Sequence, residues 1–523
     1  MLAFWRRCTI LAIYIPVCVS VSAFAQQPDS GQSLGDVARK LRKDTTNEVK
    51  MTDADTKKLF ESVDRIFAFA ADDTGMPKHA AVKRRLVSKD DVEKYAAAQM
   101  AKEDFKKNFS QEELSLKKFG FLPRDFNLQE FLVKSTGQQI AAYYDDETKT
   151  ISMLNWVPPD RQEPILAHEL THALQDQNYD LAKWMKPAAK PAGKQENSNA
   201  PVDGDSQIAR KAVVEGQAMV VYVDYMLKPV GRTLEDTPGL IYQMEEPAVK
   251  AVIDSQMMHD APMILREMGG FPYQEGLIFE GELLHKGGKK LAFAGAFVRP
   301  PRNSHEVLQP EAYINGDKLP AVRIPDMQAA LNHEYDVCDS GGIGELDVRA
   351  LLKQYGERKI ADELSAAWQG GSYVTFRRKD KAVADISPGT DVALLYVSRW
   401  KTPQAAEWFA TFYARTVSQR YHTATVRPVP ACSGDDCPVS IAQISTEEGA
   451  VIVEHWKDNS VVVSESFDPE TAARLRVALR ENSSAVHAEF LPQEEIGLRL
   501  FEIPAFQTFA EQLGDQIAKE MSH

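Results

Sequence analysis

Along the 523 residues the spacing of apolar positions changes character several times. Residues 9–21 form an apolar run of about a dozen residues, with Arg6-Arg7 before it and Ala23-Phe24-Ala25 after it, the layout of a secretory signal. A polar stretch covers 26–50. From 51 to 130 the recurrence is helical, with Leu59, Val63, Ile66 and Phe67 on one face. The Lys83-Arg84-Arg85 run within it reads as a solvated helix face. A period of two then takes over, and 139–144 and 150–154 read as paired strands around the turn 145–148. Pro158-Pro159 ends that pattern, and Asp160 with Glu163 offers a capping box for a helix reaching about Gln177. The stretch 186–205, rich in Pro, Ala, Lys, Gly, Asn and Ser, reads as a mobile loop. A second helix runs from about Ser206 to Leu227.

After a mixed region to about 360 the pattern turns to short strands near 373–377, 392–397, 423–429, 440–445, 451–455 and 460–465. Amphipathic helices fall at 403–421 and 469–480, so a separate α+β domain is expected. Trp368 to Tyr373 reads as a turn with aromatic packing, and Trp400, Trp408, Phe409 and Phe412 as core. The organisation predicted is a signal peptide (1–25), a mainly helical N-terminal region (26–130), a central domain (131–360) and a C-terminal α+β domain (361–523).

Composition excludes more than it assigns. With 44% hydrophobic and 26% charged residues the chain is neither collagen-like nor wholly disordered. Lys+Arg 61 against Asp+Glu 75 argues against nucleic acid as a partner, because affinity there rests on neutralising phosphates. No run after the signal approaches the roughly 20 apolar residues of a membrane helix. The expectation is a periplasmic or secreted protein, cut after Ala25, with no stable membrane span. Cleavage removes Cys8 and Cys18 and leaves Cys338, Cys432 and Cys437. Cys432 and Cys437 flank Ser-Gly-Asp-Asp and can close a small bridge in an oxidising compartment. Without a CxxC, a zinc ribbon is not expected.

The chemistry concentrates in one segment, Ala167-His168-Glu169-Leu170-Thr171-His172-Ala173-Leu174-Gln175-Asp176-Gln177. His168 and His172 are one helical turn apart, so both imidazoles project from one face and suit a single zinc ion. Glu169 lies about 100° round the helix, near enough to serve as base without being a ligand. With 11 His in the chain, such a motif is expected by chance on the order of 0.02 times. Catalytic zinc takes a third protein ligand and keeps a fourth position open. Ile208, Ala212, Glu215, Ala218, Met219 and Tyr222 follow one helical stripe, and a carboxylate amid an apolar face calls for a partner such as a metal. Glu215 is therefore the expected third ligand. Asp224, the rival carboxylate on this helix, falls off the stripe.

These residues resemble the HExxH zinc metallopeptidases with a Glu third ligand, the gluzincin-like zincins. More narrowly they resemble secreted bacterial metallopeptidases with a HELTHALQDQ-type zinc helix, an EGxA helix (here Glu215-Gly216-Gln217-Ala218), a PYxxGxxF segment (Pro272 to Phe279) and a proline-rich stretch from Pro300 to Tyr313. The resemblance implies an α+β fold with a zincin-like catalytic domain, a small sheet beside zinc-binding helices. It implies Zn2+ on His168, His172 and Glu215, and peptide-bond hydrolysis by a metal-activated water with Glu169 as general base. The partner is then a protein or peptide substrate, laid along a strand of the hairpin, 142–144 or 151–153. The usual Asp four residues after the ligating Glu is replaced by Met219, so Asp176, one turn beyond His172, is the candidate for orienting a histidine. Tyr273, His305 and Tyr222 are candidates for stabilising the transition state. The alternative is a catalytically inactive, zinc-stabilised periplasmic binding or scaffold protein. A third possibility is a latent enzyme gated by the 186–205 loop.

Overall fold

The computed structural model describes residues 51–88, 90–91, 112–128, 130–131, 142–185, 204–241, 261–320, 322–379, 391–429, 434 and 437–481. The expected signal segment, nearly all of the 186–205 loop and Cys432 lie outside these residues. The chain is α+β, with a helical N-terminal part and a C-terminal sheet.

Helix α1 (Asp53–Thr74) begins with the Thr52 hydroxyl accepting from the Asp55 N–H while the Asp55 carboxylate accepts from the Thr52 N–H, and it ends on Gly75 at φ 71°. Its expected apolar face, Leu59, Val63, Ile66 and Phe67, is buried. The basic run behind it is not helical. It forms β1 (Lys83–Val87), paired parallel to β3 (Thr150–Leu154), which pairs antiparallel to β2 (Ala142–Asp145) in the order β1-β3-β2. Alternation explains the strand. Arg85 donates to the Ser152 hydroxyl (2.7 Å) and the Tyr143 hydroxyl (2.9 Å) on one face, while Arg84 donates to Asp64 (2.7 Å) on α1. Three successive cations carry no period of their own, so the sequence could not separate strand from helix here.

Helix α2 (Pro159–Tyr179) starts without a side-chain cap. Glu163 does not close the expected box; it accepts from Arg65 (2.7 Å) and from the Tyr225 hydroxyl (2.6 Å). Gln162 does the anchoring, accepting from the Leu154 N–H and donating to the Leu154 and Val157 carbonyls, which fixes α2 to the end of β3. Helix α3 (Gly204–Leu227) is buried along most of its length. It crosses α4 (Met263–Lys289), a helix that falls inside the region of mixed sequence pattern. Gly216 faces Gly276 at the crossing: a Cβ on Gly216 would stand 2.3 Å from the Gly276 carbonyl oxygen. The proline-rich stretch turns the chain after α4. Asn303 caps the short helix Ser304–Leu308, and the Tyr313 hydroxyl donates to the Arg299 carbonyl.

The C-terminal sheet has seven antiparallel strands in the order β4-β5-β6-β10-β9-β8-β7. They span Tyr335–Gly342, Trp368–Arg378, Val392–Trp400, Ala424–Arg427, Ser440–Thr446, Gly449–His455 and Ser460–Phe467 for β4 to β10. Helix α5 (Glu345–Tyr355) lies between β4 and β5, and α6 (Pro403–Arg420) and α7 (Pro469–Glu481) take the expected positions. The sheet thus begins ahead of position 361, because β4 pairs with β5 across that expected boundary. The Trp368–Tyr373 segment is not a turn: it opens β5, with a bulge between Trp368 and Gly370, the latter at φ 152°. Trp400 and Phe409 are core, Phe412 is partly buried, and Trp408 is 54% exposed. Lys118 and Arg124 both reach Glu448, and Arg420, paired with the buried Glu465, donates to the Lys118 carbonyl (2.6 Å), tying the helical part to the sheet. Cys437 is disulfide-bonded and Cys338 is free and buried. Among the described residues no helix is long and apolar enough to cross a membrane.

Asp224, the rival carboxylate, pairs with Asp73 of α1 and accepts from the Leu234 N–H (2.6 Å). Burial first, then the charge of Asp73, pushes it up to about 8. A carboxyl raised on folding stabilises fully below its unfolded value near 3.8, and that contribution is lost as pH rises through about 8. Asp224→Asn keeps the acceptor without the charge. Chemical denaturation should show the variant gaining on the wild type far more at about pH 9 than at about pH 4. A constant difference across that range would refute the assignment.

Candidate metal centre

Helices α2 and α3 bring three donor atoms together. His168 Nε2 lies 3.0 Å from His172 Nε2 and 3.2 Å from Glu215 Oε2, and His172 Nε2 lies 3.3 Å from the same Oε2. All three residues are buried, at 0–1% exposure. Ligands held 2.0–2.1 Å from one tetrahedral zinc stand roughly 3.3–3.4 Å apart, so this triangle fits three corners of such a site. Lone pairs this close need positive charge between them, which a divalent cation or a proton supplies. Among the described residues it is the one cluster of His, Cys, Asp and Glu with this convergence.

The electrostatics follow from burial and from the three-way contact. Burial lowers His168 to about 4. Burial also opposes charge on His172, but the Glu215 carboxylate outweighs it and raises His172 to about 9. On Glu215 burial works upward, yet the charge of His172 and hydrogen bonds from both histidines hold the carboxyl far below its ordinary range. Glu215 therefore stays ionised, and its charge is balanced by a proton on His172, the position a dication would take in its place.

Glu169 is fully buried beside this triangle. Its Oε2 accepts from the Tyr144 N–H of β2 (2.9 Å), and Oε1 has no hydrogen-bond partner among the described residues. Burial pushes its carboxyl up to about 8. Of the two expected substrate strands, 151–153 lies in β3, which is central, while 142–144 lies in β2, an edge strand.

The candidate for orienting a histidine is corrected. Asp176 turns toward the β2–β3 hairpin, where its Oδ2 accepts from the Tyr144 hydroxyl (2.8 Å) and from Lys149 (2.5 Å). Gln175 is the residue that meets a histidine: its Oε1 lies 2.9 Å from His172 Nδ1. Positions three and four beyond His172 both neighbour it on the helix, one to each side; Gln175 falls on the side of α3 and Asp176 on the side of the β2–β3 hairpin. Gln175 Nε2 donates to the Val214 carbonyl and to Gln217 Oε1, both at 3.0 Å. Gln217 Nε2 donates to the Ala292 and Phe293 carbonyls at 2.9 and 3.0 Å. Glu280 of α4 lies buried against Gln217, and burial pushes its carboxyl well above the usual range. The clue to these residues was polarity inside apolar stripes, the same clue that marked Glu215.

Tyr273 of α4 is buried, with its ring stacked 6.4 Å from that of His168. Burial, then the charges of Glu215 and Glu169, hold its hydroxyl well above the ordinary tyrosine value. His305 is engaged elsewhere: its Nδ1 lies 2.5 Å from Glu345 Oε2 at the start of α5. Tyr222 is buried on α3.

A family model described as a domain of unknown function (DUF8575) matches residues 334–476, which run from the start of β4 into α7 and leave out the helices that carry the donor atoms. No curated protein and no solved structure matches the chain.

Proposed function

We propose that the chain is an exported zinc-dependent peptidase of the HExxH type with a zincin-like catalytic domain. His168, His172 and Glu215 would hold the metal and Glu169 would act as general base. The observation that carries this reading is the 3.0–3.3 Å triangle of donor atoms, built from two helices, with Glu169 immediately next to it. Bound zinc supplies Lewis acidity toward water and the scissile carbonyl. Glu169 takes a proton from water through its free oxygen and passes it to the leaving amine, while the Tyr144 N–H steadies the other oxygen. Tyr273 retains its proton at any working pH, which suits a donor to the developing oxyanion. A peptide adding to β2 would run along the edge strand that already touches Glu169.

Metal content by mass spectrometry tests the reading, with casein cleavage assayed in parallel. The wild type should carry about one zinc per chain and cleave, and Glu215→Ala should lose both, because catalytic zinc rests on three protein ligands. Full zinc occupancy in Glu215→Ala would overturn the ligand set. Complete burial of the centre favours a second reading, a zinc-stabilised binding or scaffold protein. X-ray absorption separates the two: three protein ligands plus an exchangeable oxygen support the peptidase, four protein ligands the scaffold.

A further inference from the structure

We infer that Gln175 and Gln217 form an amide relay that sets the tautomer of His172 and so aims its Nε2 lone pair into the metal triangle; this deepens the zinc reading and rests on it. Groups that can only accept fix the orientation of each amide in turn. Backbone carbonyls have no proton to give, so the Gln217 atom facing both the Ala292 and Phe293 carbonyls must be its NH2. A flipped Gln217 would set its oxygen against two carbonyl oxygens. Its Oε1 therefore points the other way and accepts from Gln175 Nε2, whose second proton goes to the Val214 carbonyl. Gln175 is fixed in turn, with Oε1 toward His172. An amide oxygen only accepts, so His172 Nδ1 carries a proton and donates it. In a neutral imidazole that leaves Nε2 bare, on the side facing His168 Nε2 and Glu215 Oε2.

Both glutamines are fully buried, so water cannot replace either amide. The far end of the relay rests on the π-helical turn Lys290–Gly295, an element that recurs at functional sites. Neither glutamine touches the metal triangle except through His172 and the chain, so they are positioning residues. They occupy the role that an aspartate after the ligating glutamate would otherwise fill, and Met219 stands there instead.

The test is zinc affinity, read by competition with a chromogenic chelator, on Gln175→Leu, Gln217→Met and the double variant, with metal-free melting as a folding control. Partners of this kind are worth about 10- to 100-fold in metal affinity. Each single variant should weaken zinc by about that factor, and the double variant should be no weaker than Gln175→Leu alone, because Gln217 acts only through Gln175. Multiplying effects in the double variant would overturn the relay, as would unchanged affinity in Gln217→Met. Should the variants melt too low to assay, the 15N shifts of His172 in the metal-free wild type decide. A protonated Nδ1 with a bare Nε2 in the neutral ring supports the relay, and the opposite tautomer overturns it. Failure of the wild type to take up zinc would sink the zinc reading itself, and a correct tautomer in that protein would still leave the relay's geometry standing.

Discussion

Glu169→Gln should abolish measurable casein cleavage while leaving zinc bound. The substitution is close to isosteric, and the amide oxygen can still accept from the Tyr144 N–H that holds Oε2 at 2.9 Å. The three donor atoms, on His168, His172 and Glu215, are untouched, so metal content should match the wild type. What disappears is the ability to take a proton, since the amide nitrogen that replaces Oε1 is a donor. A positioned general base contributes typically about 100- to 10,000-fold, and here one group serves both the attack on the carbonyl and the departure of the amine, so the loss should reach the upper end. Steady-state cleavage by the purified variant, with zinc quantified on the same sample, gives the answer. Turnover within about tenfold of wild type at full zinc occupancy would remove Glu169 from the mechanism. Loss of zinc along with activity would point to a structural role at the α2 face instead.

The centre is legible in the sequence because two of its parts sit on one helix turn and the third is a charge in an apolar stripe. His168 and His172 announce themselves by spacing, and Glu215 by the cost of burying a lone carboxylate; the structure brings all three within 3.3 Å. Their supports are not legible in the same way. Gln175 and Asp176 are adjacent in sequence and both polar, and only the packing of β2 against α2 decides which one meets His172. Tyr144 contacts the base through its backbone N–H, a group every residue but proline owns, so no residue type could flag it. Strand β1 resembles a helix face in sequence because three basic side chains give no period, and its pairing with β3 is a tertiary fact. In the C-terminal sheet, short alternating runs bounded by turn residues mark six strands and two helices. β4 escapes because its Asp, Cys, Ser and Gly lack the β-branched signature of its neighbours.

Two of the motifs flanking the zinc helix meet at one point, and that point makes the second large expectation. Gly216 of the EGxA helix and Gly276 of the PYxxGxxF segment face each other where α3 crosses α4. A Cβ on Gly216 would lie 2.3 Å from the Gly276 carbonyl oxygen, and one on Gly276 would lie 2.4 Å from the Ala212 carbonyl oxygen. Both obstacles are backbone, so no side chain can rotate aside. Gly216→Ala must push the helices apart, and Glu215, the preceding residue, must move with α3. Overpacking of this kind costs about 1–3 kcal/mol, and backbone obstacles place it at the top of that range. A shift of about 1 Å in one donor is enough to spoil a coordination site held by rigid helices. The variant should therefore melt well below the wild type and lose most of its zinc affinity. Gly276→Ala should do the same, while Gly239→Ala, whose Cβ would meet no atom within 4 Å, should change neither. Calorimetry of the metal-free proteins and zinc titration of each variant measure the two effects separately. If Gly216→Ala melts and binds zinc like the wild type, the crossing does not set the position of Glu215.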